Sequence, residues 1–307
     1  MGFHKKCVWP LLFLLFVIDL PFYLSPTSST LKDHPLKIMA DVINAYTSVN
    51  STLDAIYFQL FINSIYLWCN AWQLSINGAK SNILHLGRTN LKFIYHINNL
   101  PIQPLPFVSD LGVCVDDELS FHSHMAKITA KARGRCALFL RSFITRDPKI
   151  MIKFVTTYVR PILEYCSPVW SPITQEDILK LESVQKFFTN KIPTCTFLPY
   201  SVRLQKLSLT SLCHRRSVAD LAMIHSIISG SADIPFIPFM QLIPPSVTRG
   251  HNLKITPPFL FYKHSTQNLL SRFAVCWNAL ADKILGSPST STFRRAVSIQ
   301  VNDPFVK

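Results

Sequence analysis

The sequence predicts an α+β chain, a mixed helix-and-strand beginning followed by a mostly helical remainder. Three observations lead there. Short apolar runs broken by turn residues occupy residues 74–113, apolar residues recur at helical spacing from residue 121 onward, and hydrophobic residues make up 49% of the 307. That fraction supplies a buried core and excludes a disordered tail protein, which cannot bury enough apolar surface to offset its chain entropy. Length alone suggests one large or two ordinary domains.

Each element has a local reason. Ser51 with Asp54 makes a capping-box start, and Leu53, Ile56, Tyr57, Leu60 and Leu67 recur at helix spacing until Trp68 and Trp72 close the helix. The runs Leu74–Ile76 and Ile83–Leu86 flank Asn77-Gly78, a turn dipeptide. A Pro-rich stretch, Pro101 to Pro106, leads to Ser109-Asp110-Leu111-Gly112-Val113, read as turn and strand. Residues 121–160 read as a helical pair broken at Asp147-Pro148. Thr174 with Asp177 starts a helix carrying Ile178, Leu181, Val184 and Phe188 on one side, and Leu204 to Ile228 reads as one further helical stretch. Prolines at 235, 238, 244, 245, 257 and 258 mark an irregular linker, after which a short helix runs through Phe273–Leu280. There are no internal repeats.

Charge is scarce and one-sided. Charged residues are 16%, with 31 Lys+Arg against 17 Asp+Glu, a net +14. An excess of that size implies a polyanionic partner, nucleic acid or an anionic membrane. Eight cysteines at wide, uneven spacing form no CxxC and no secreted disulfide framework. Neither His122 and His124 nor Cys213 and His214 has the second ligand pair that zinc needs, so reduced, mostly buried thiols are the simpler reading. At the N-terminus, His4, Lys5 and Lys6 precede an apolar run, Leu11 to Ile18, with the layout of a signal peptide. The run is short, Asp19 interrupts it and Pro21 follows where small residues should prepare cleavage. A buried helix competes.

These segments, in this order, resemble the C-terminal half of a non-LTR (LINE-type) retrotransposon reverse transcriptase. Pro10 to Pro21 resembles the family's "PLLFLLYINDLP" palm helix, which turns the signal-like run into a core helix. Lys37-Ile38-Met39-Ala40-Asp41-Val42 falls at the "FADD" active-site turn, and Trp72 to Asn77 with Lys80-Ser81 resembles the "WxLxxNxxK[TS]" segment after it. Asp110-Leu111-Gly112-Val113 followed by Leu119-Ser120-Phe121 and His124 is similar to the entry to the thumb. Tyr158 to Tyr165 and Val169 to Pro172 are similar to "LVRPxLEYxxxxWxP". Leu181 to Lys186, Arg203-Leu204 with Leu207, Arg215-Arg216, Thr248 to His251, and Trp277-Asn278 with Leu280 continue the series. Each fragment alone is weak; about ten in the right order carry the resemblance.

The resemblance implies a truncated polymerase palm over 1–107, a helical thumb-like domain over 108–232, and a Pro-rich tail with one short helix over 233–307. It also implies RNA-directed DNA polymerase ancestry, in which three palm carboxylates hold two Mg²⁺ ions that activate the primer hydroxyl and stabilise the leaving pyrophosphate. Here Asp41 is the one carboxylate kept, a vestigial catalytic and metal position, because Val42 replaces its paired aspartate. The first carboxylate comes from an upstream strand with no counterpart in this sequence. Asn44 could offer an oxygen but not the charge. One carboxylate cannot strip water from two Mg²⁺ ions, so the expectation is a polymerase remnant that needs no cofactor. Lys80 matches the lysine that lies near the incoming nucleotide's phosphates, though a solvated lysine after a turn is the better reading. Asp116-Asp117 looks like a metal pair and reads better as a turn.

The basic face carries the remaining function. His122–Arg146 contains no acidic residue, and Lys127, Lys131 and Arg135 fall at i, i+4 and i+8, with Arg133, Arg141 and Arg146 beside them. Phe121–Asp220 holds 16 Lys+Arg and 6 Asp+Glu, so +10 of the +14 sits in one hundred residues. Solvated helix faces usually mix signs; a one-signed stripe fits backbone contact with RNA, RNA–DNA duplex or DNA. Membrane binding would need bulky apolar residues beside the stripe, and here that side reads as core. No specific protein partner is implied, and the expected location is intracellular, cytoplasmic or nuclear. Trp170, Trp277 and Phe187-Phe188 could stack on bases but are better read as core. The rival readings are a polymerase completed by another chain's carboxylates, a secreted or anchored protein using residues 1–25, and a reading frame without a stable product.

Overall fold

A computed structural model describes residues 17–24, 36–39, 42–234, 242–243, 251–256 and 269–306. The chain forms two compact units, one of Met1–Val108 with Asp116–Glu118, the other of Ser109–Val115 with Leu119–Lys307.

In the first unit, α1 (Leu20–Leu24) buries Leu20 and Leu24, with Val17 just ahead of it, against the long helix α2 (Thr52–Ala71). Of the signal-like run only its last two residues are described, Val17 buried and Ile18 exposed in a turn, and residues 1–16 lie outside the described residues. Strands β1 (Leu36–Met39) and β2 (Val42–Ala45) pair antiparallel, with Met39 opposite Val42. Helix α2 starts as its sequence dictates: the Ser51 hydroxyl accepts from the Asp54 N–H at 3.2 Å, and the Asp54 carboxylate accepts from the Ser51 N–H at 2.8 Å. Ala55, Phe61, Ile65, Trp68 and Cys69 face inward, whereas Leu53, Ile56, Tyr57, Leu60 and Leu67, which also recur at helical spacing, are exposed. The helix is apolar nearly all round, so periodicity alone does not select its inner side.

Asn77-Gly78 does not join a hairpin. Asn77 caps a 3₁₀ turn, Gly78–Lys80, and β3 (Asn82–Ile83) pairs parallel with β6 (Gln103–Pro104), while β4 (His96–Ile97) pairs with β5 (Leu100–Pro101). Strands β7 (Phe107–Asp110) and β8 (Val113–Asp116) then form a hairpin whose two-residue loop, Leu111-Gly112, has φ of +45° and +87°. Both loop residues are left-handed, the geometry that matches strand twist. Leu111 holds it without glycine's freedom, and the Tyr165 hydroxyl donates to its carbonyl at 3.0 Å.

The second unit is helical. Helix α3 (His122–Ser142) is followed by a break, and Asp147 caps α4 (Pro148–Phe154), its Oδ1 accepting from the Lys149 N–H at 2.7 Å with Pro148 in the first turn. The helix continues through a π turn, Val155–Val159, into α5 (Arg160–Glu164). Pro161 supplies the cause: it has no N–H and its ring would strike the carbonyl four residues back, so the preceding turn opens to i→i+5. Helices α6 (Ser167–Trp170) and α7 (Gln175–Thr189, capped by Thr174) follow. The stretch expected to be one helix over 204–228 is two, α8 (Tyr200–Lys206) and α9 (Leu212–Ile228), because Ser211 caps a new start. After the helix expected near 273–280, here α10 (Leu269–Asn278), come two further helices, α11 (Asp282–Leu285) and α12 (Thr290–Gln300).

Two cores organise this unit. One gathers Met125, Ala132, Cys136 and Phe139 of α3 with Met151, Val155, Leu163, Trp170, Leu181, Val184 and Phe188. The other packs Leu221 and Ile224 of α9 against Trp277, Phe293 and Val297. Burial pushes the Cys136 thiol up to about 12, an inert thiol in apolar surroundings.

Candidate nucleic-acid interface

Helix α3 sorts its residues by type. Met125, Ile128, Ala132, Cys136 and Phe139 turn inward, and Lys127, Lys131, Arg133, Arg135 and Arg141 are all exposed. Among the described residues, none of these five cations has a carboxylate within ion-pair distance. Successive positions in the series 127, 131 and 135 drift by about 40° in an α-helix, so these three form a shallow spiral along one flank. Gly134 lies on that flank with nothing within 4 Å of the space a side chain would fill, which leaves bare backbone between the cations. Glycine there costs about 1 kcal/mol of helix propensity relative to alanine.

Not every basic residue of the stretch belongs to the face. Arg133 turns toward α7 and donates to the Ser183 hydroxyl at 2.7 Å. The Arg146 guanidinium closes the C-terminus of α3, donating to the Leu140 carbonyl at 2.8 Å and to that of Thr145 at 3.0 Å, as well as to Phe143. It satisfies carbonyls that the end of a helix leaves without donors.

The polymerase-like positions fall in the first unit. Asp41 lies outside the described residues, while Val42 is half exposed at the start of β2. Lys80 ends the 3₁₀ turn as an exposed side chain whose own N–H donates to Asn77 Oδ1 at 3.2 Å. The backbone of Asp117 is used by its neighbours, donating to Pro106 and accepting from Gly87. No group of three metal-capable side chains occurs among the described residues.

Residues missed from sequence form a buried polar network in the second unit. Glu182, inside α7, accepts from the Tyr200 hydroxyl and from the N–H groups of Leu212 and Cys213, both at 3.2 Å, at the first turn of α9. Burial raises the Glu182 pKa, and those hydrogen bonds with the nearby Arg216 charge oppose the rise. Gln185 links Tyr200 to the Thr210 carbonyl and accepts from Arg160. Arg215 ties α9 to α5 through Glu164, at 2.9 Å for Nη2–Oε2. Arg216 is buried. Asp220 pairs with Arg272 at 3.2 Å, both inside the protein.

Fragments that carry the resemblance thus meet in space. Tyr165 reaches Leu111, Arg215 reaches Glu164, and Arg203 donates to the Lys186 carbonyl at 2.9 Å. His251 Nε2 lies 3.3 Å from the Trp277 carbonyl, and Asn278 exchanges two hydrogen bonds with Ile255, at 2.8 and 2.9 Å. Thr248 to Gly250 of that fragment lie outside the described residues. Trp170 and Trp277 are buried, each indole N–H donating to a carbonyl, as core anchors do. Of the Phe187-Phe188 pair only Phe188 is core; Phe187 is half exposed, on the outer side of α7.

No protein-family model matches the chain, and no solved structure matches it. The chain is similar to an uncharacterized protein of Caenorhabditis elegans, 26% identical over 188 residues that cover 60% of this chain and 90% of the worm protein. It is also similar to a probable RNA-directed DNA polymerase from transposon X-element of Drosophila melanogaster, 25% identical over 203 residues, 64% of this chain and 22% of that protein. The matched region thus accounts for about a fifth of the Drosophila protein and nearly all of the worm one. No helix among the described residues is long and apolar enough to cross a membrane.

Proposed function

We propose that the chain derives from the palm end, thumb and tail of a non-LTR retrotransposon reverse transcriptase, and that it binds the backbone of RNA or RNA–DNA duplex without reading sequence. The observation that carries this is the one-signed flank of α3, whose cations are exposed and, among the described residues, have no carboxylate partner. Lys and Arg placed that way contact phosphates, and phosphate contacts give affinity without base discrimination. The distant similarity to a transposon polymerase supports the ancestry. The antiparallel β1–β2 pair that brackets residues 40 and 41 suits an active-site turn. With Val42 where a second aspartate would stand, the polymerase centre is silent, and no Mg²⁺ is required.

A salt series tests the reading. The slope of log affinity against log salt should be several units. It should shrink by about 0.9 for each phosphate left unneutralised, so by up to roughly 3 in the Lys127→Ala, Lys131→Ala, Arg135→Ala triple variant. A protein with no salt-dependent affinity for any duplex would sink it.

A further inference from the structure

Four aromatic rings of the second unit form one near-parallel series. Phe143 stacks on Phe139 at 4.9 Å and 25°, Phe139 on Phe154 at 4.1 Å and 24°, and Phe154 on Tyr158 at 5.6 Å and 25°. The inner rings belong to the core: Phe139 is buried and Phe154 packs against it, while Phe188 tilts against both. The outer rings reach water, Phe143 at 52% exposed and Tyr158 at 56%.

Tyr158 lies within the widened Val155–Val159 segment, four residues after Phe154, and its hydroxyl has no hydrogen-bond partner among the described residues. A buried tyrosine would need such a partner; a half-exposed one has its hydroxyl in water and its ring held by the stack behind it. Lys149 and Lys153 are exposed on the same continuous helix, on faces turned away from Tyr158, and the only acid between residues 143 and 163 is Asp147, whose carboxylate caps α4. Just past the end of α7, Lys191 stands 5.4 Å over the half-exposed Phe187 ring, an aromatic–cation pair.

We infer that the open end of this series at Tyr158 is a stacking site for an unpaired nucleobase, so that the protein prefers a duplex with a single-stranded extension to a blunt one. Every base has a π face, so an exposed aromatic platform accepts a strand regardless of sequence. This rests on the nucleic-acid reading above and adds to it: the α3 flank grips phosphate, and the ring series selects unpaired bases.

The test compares a blunt RNA–DNA duplex with the same duplex carrying a three-nucleotide extension. The unaltered protein should bind the extended duplex roughly tenfold more tightly. Tyr158→Leu, which keeps an apolar side chain against Phe154, should lose that preference, and Tyr158→Phe should keep it. The α3 triple variant should weaken both duplexes alike and leave their ratio intact. A 5-iodouracil in the extension should photo-crosslink to Tyr158 in the unaltered protein, a readout that depends on no variant's folding. An unchanged ratio in Tyr158→Leu, or crosslinks falling elsewhere, overturns the inference while leaving phosphate binding intact. Tyr158-dependent sedimentation with anionic vesicles, without any preference for the extension, also overturns it. Absence of binding to either duplex removes both readings together.

Discussion

Helices α2 and α3 are nearly equal in length, 20 and 21 residues, and use their surfaces differently. α2 is apolar on most sides, with Leu53, Ile56, Tyr57, Leu60 and Leu67 exposed and its capping box the clearest polar feature. α3 is divided, apolar inward and cationic outward. Hydrophobic spacing says that a helix has a buried face; polar residues on the other side say which face that is. Where they are missing, as on α2, the period fits two stripes equally well and marks the helix without marking its inner side. Where they are plentiful, the orientation follows at once.

Substitutions can break this contrast. The largest effect belongs to the inner face of α3. Phe139 touches Phe143, Phe154 and Phe188, so Phe139→Ala removes a ring shared by two stacks and a tilted contact and should cost about 3–5 kcal/mol in urea or thermal unfolding. A cost below about 1 kcal/mol would mean that the stack is not part of the folded core.

The next sets charge on a surface against charge in a core. Burial raises the Asp220 pKa to about 7, with the Arg272 charge holding it below what burial alone would give. The folded state then keeps a proton that the unfolded chain releases near pH 3.9, so this group's stabilisation is complete below about pH 4 and is lost as pH rises to 7. Asp220→Asn cannot ionise, and its stability should fall with pH less steeply than the parent's by up to about 1.4 kcal/mol per unit across that window. Parallel slopes would show that Asp220 does not titrate there. The smallest effect belongs to α2. Leu60→Lys, on the exposed stripe, should shift stability by no more than about 0.5 kcal/mol in the same unfolding measurement. A loss of several kcal/mol would show that this side is covered after all.

Elements with a chemical marker at their ends are legible in the sequence: the Ser51 and Thr174 caps, the Asp147-Pro148 start and the basic flank of α3 all sit where their residues place them. The gap between α8 and α9 is not, because Leu207, Leu209 and Leu212 continue an apolar pattern straight through it and are buried in the same core. Helix α12 is hidden by its Ser and Thr content, which reads as loop until Phe293 and Val297 are seen to be buried. The Glu182–Tyr200–Gln185 network is the hardest to foresee, since composition assigns carboxylates and amides to the surface. Its signal is present only in the fragments Leu181 to Lys186 and Arg215-Arg216, which turn out to be interior joints.

The π turn at Val155–Val159 has a bearing on sequence length. Met151, Val155, Val159 and Leu163 are all buried at a constant spacing of four. In an unbroken α-helix that spacing advances about 40° each time, so the last of the four would have rotated about 120° from the first. A turn closed by i→i+5 holds more residues and takes back part of that advance, keeping all four on one side. The helix is in effect two α segments joined by an inserted residue. Removing one residue from Thr156-Thr157 would turn the spacing into four, three and four, which an unbroken α-helix keeps on one side, so the side chains from Tyr158 to Glu164 would hold their faces while Pro161 met the carbonyl four residues before it.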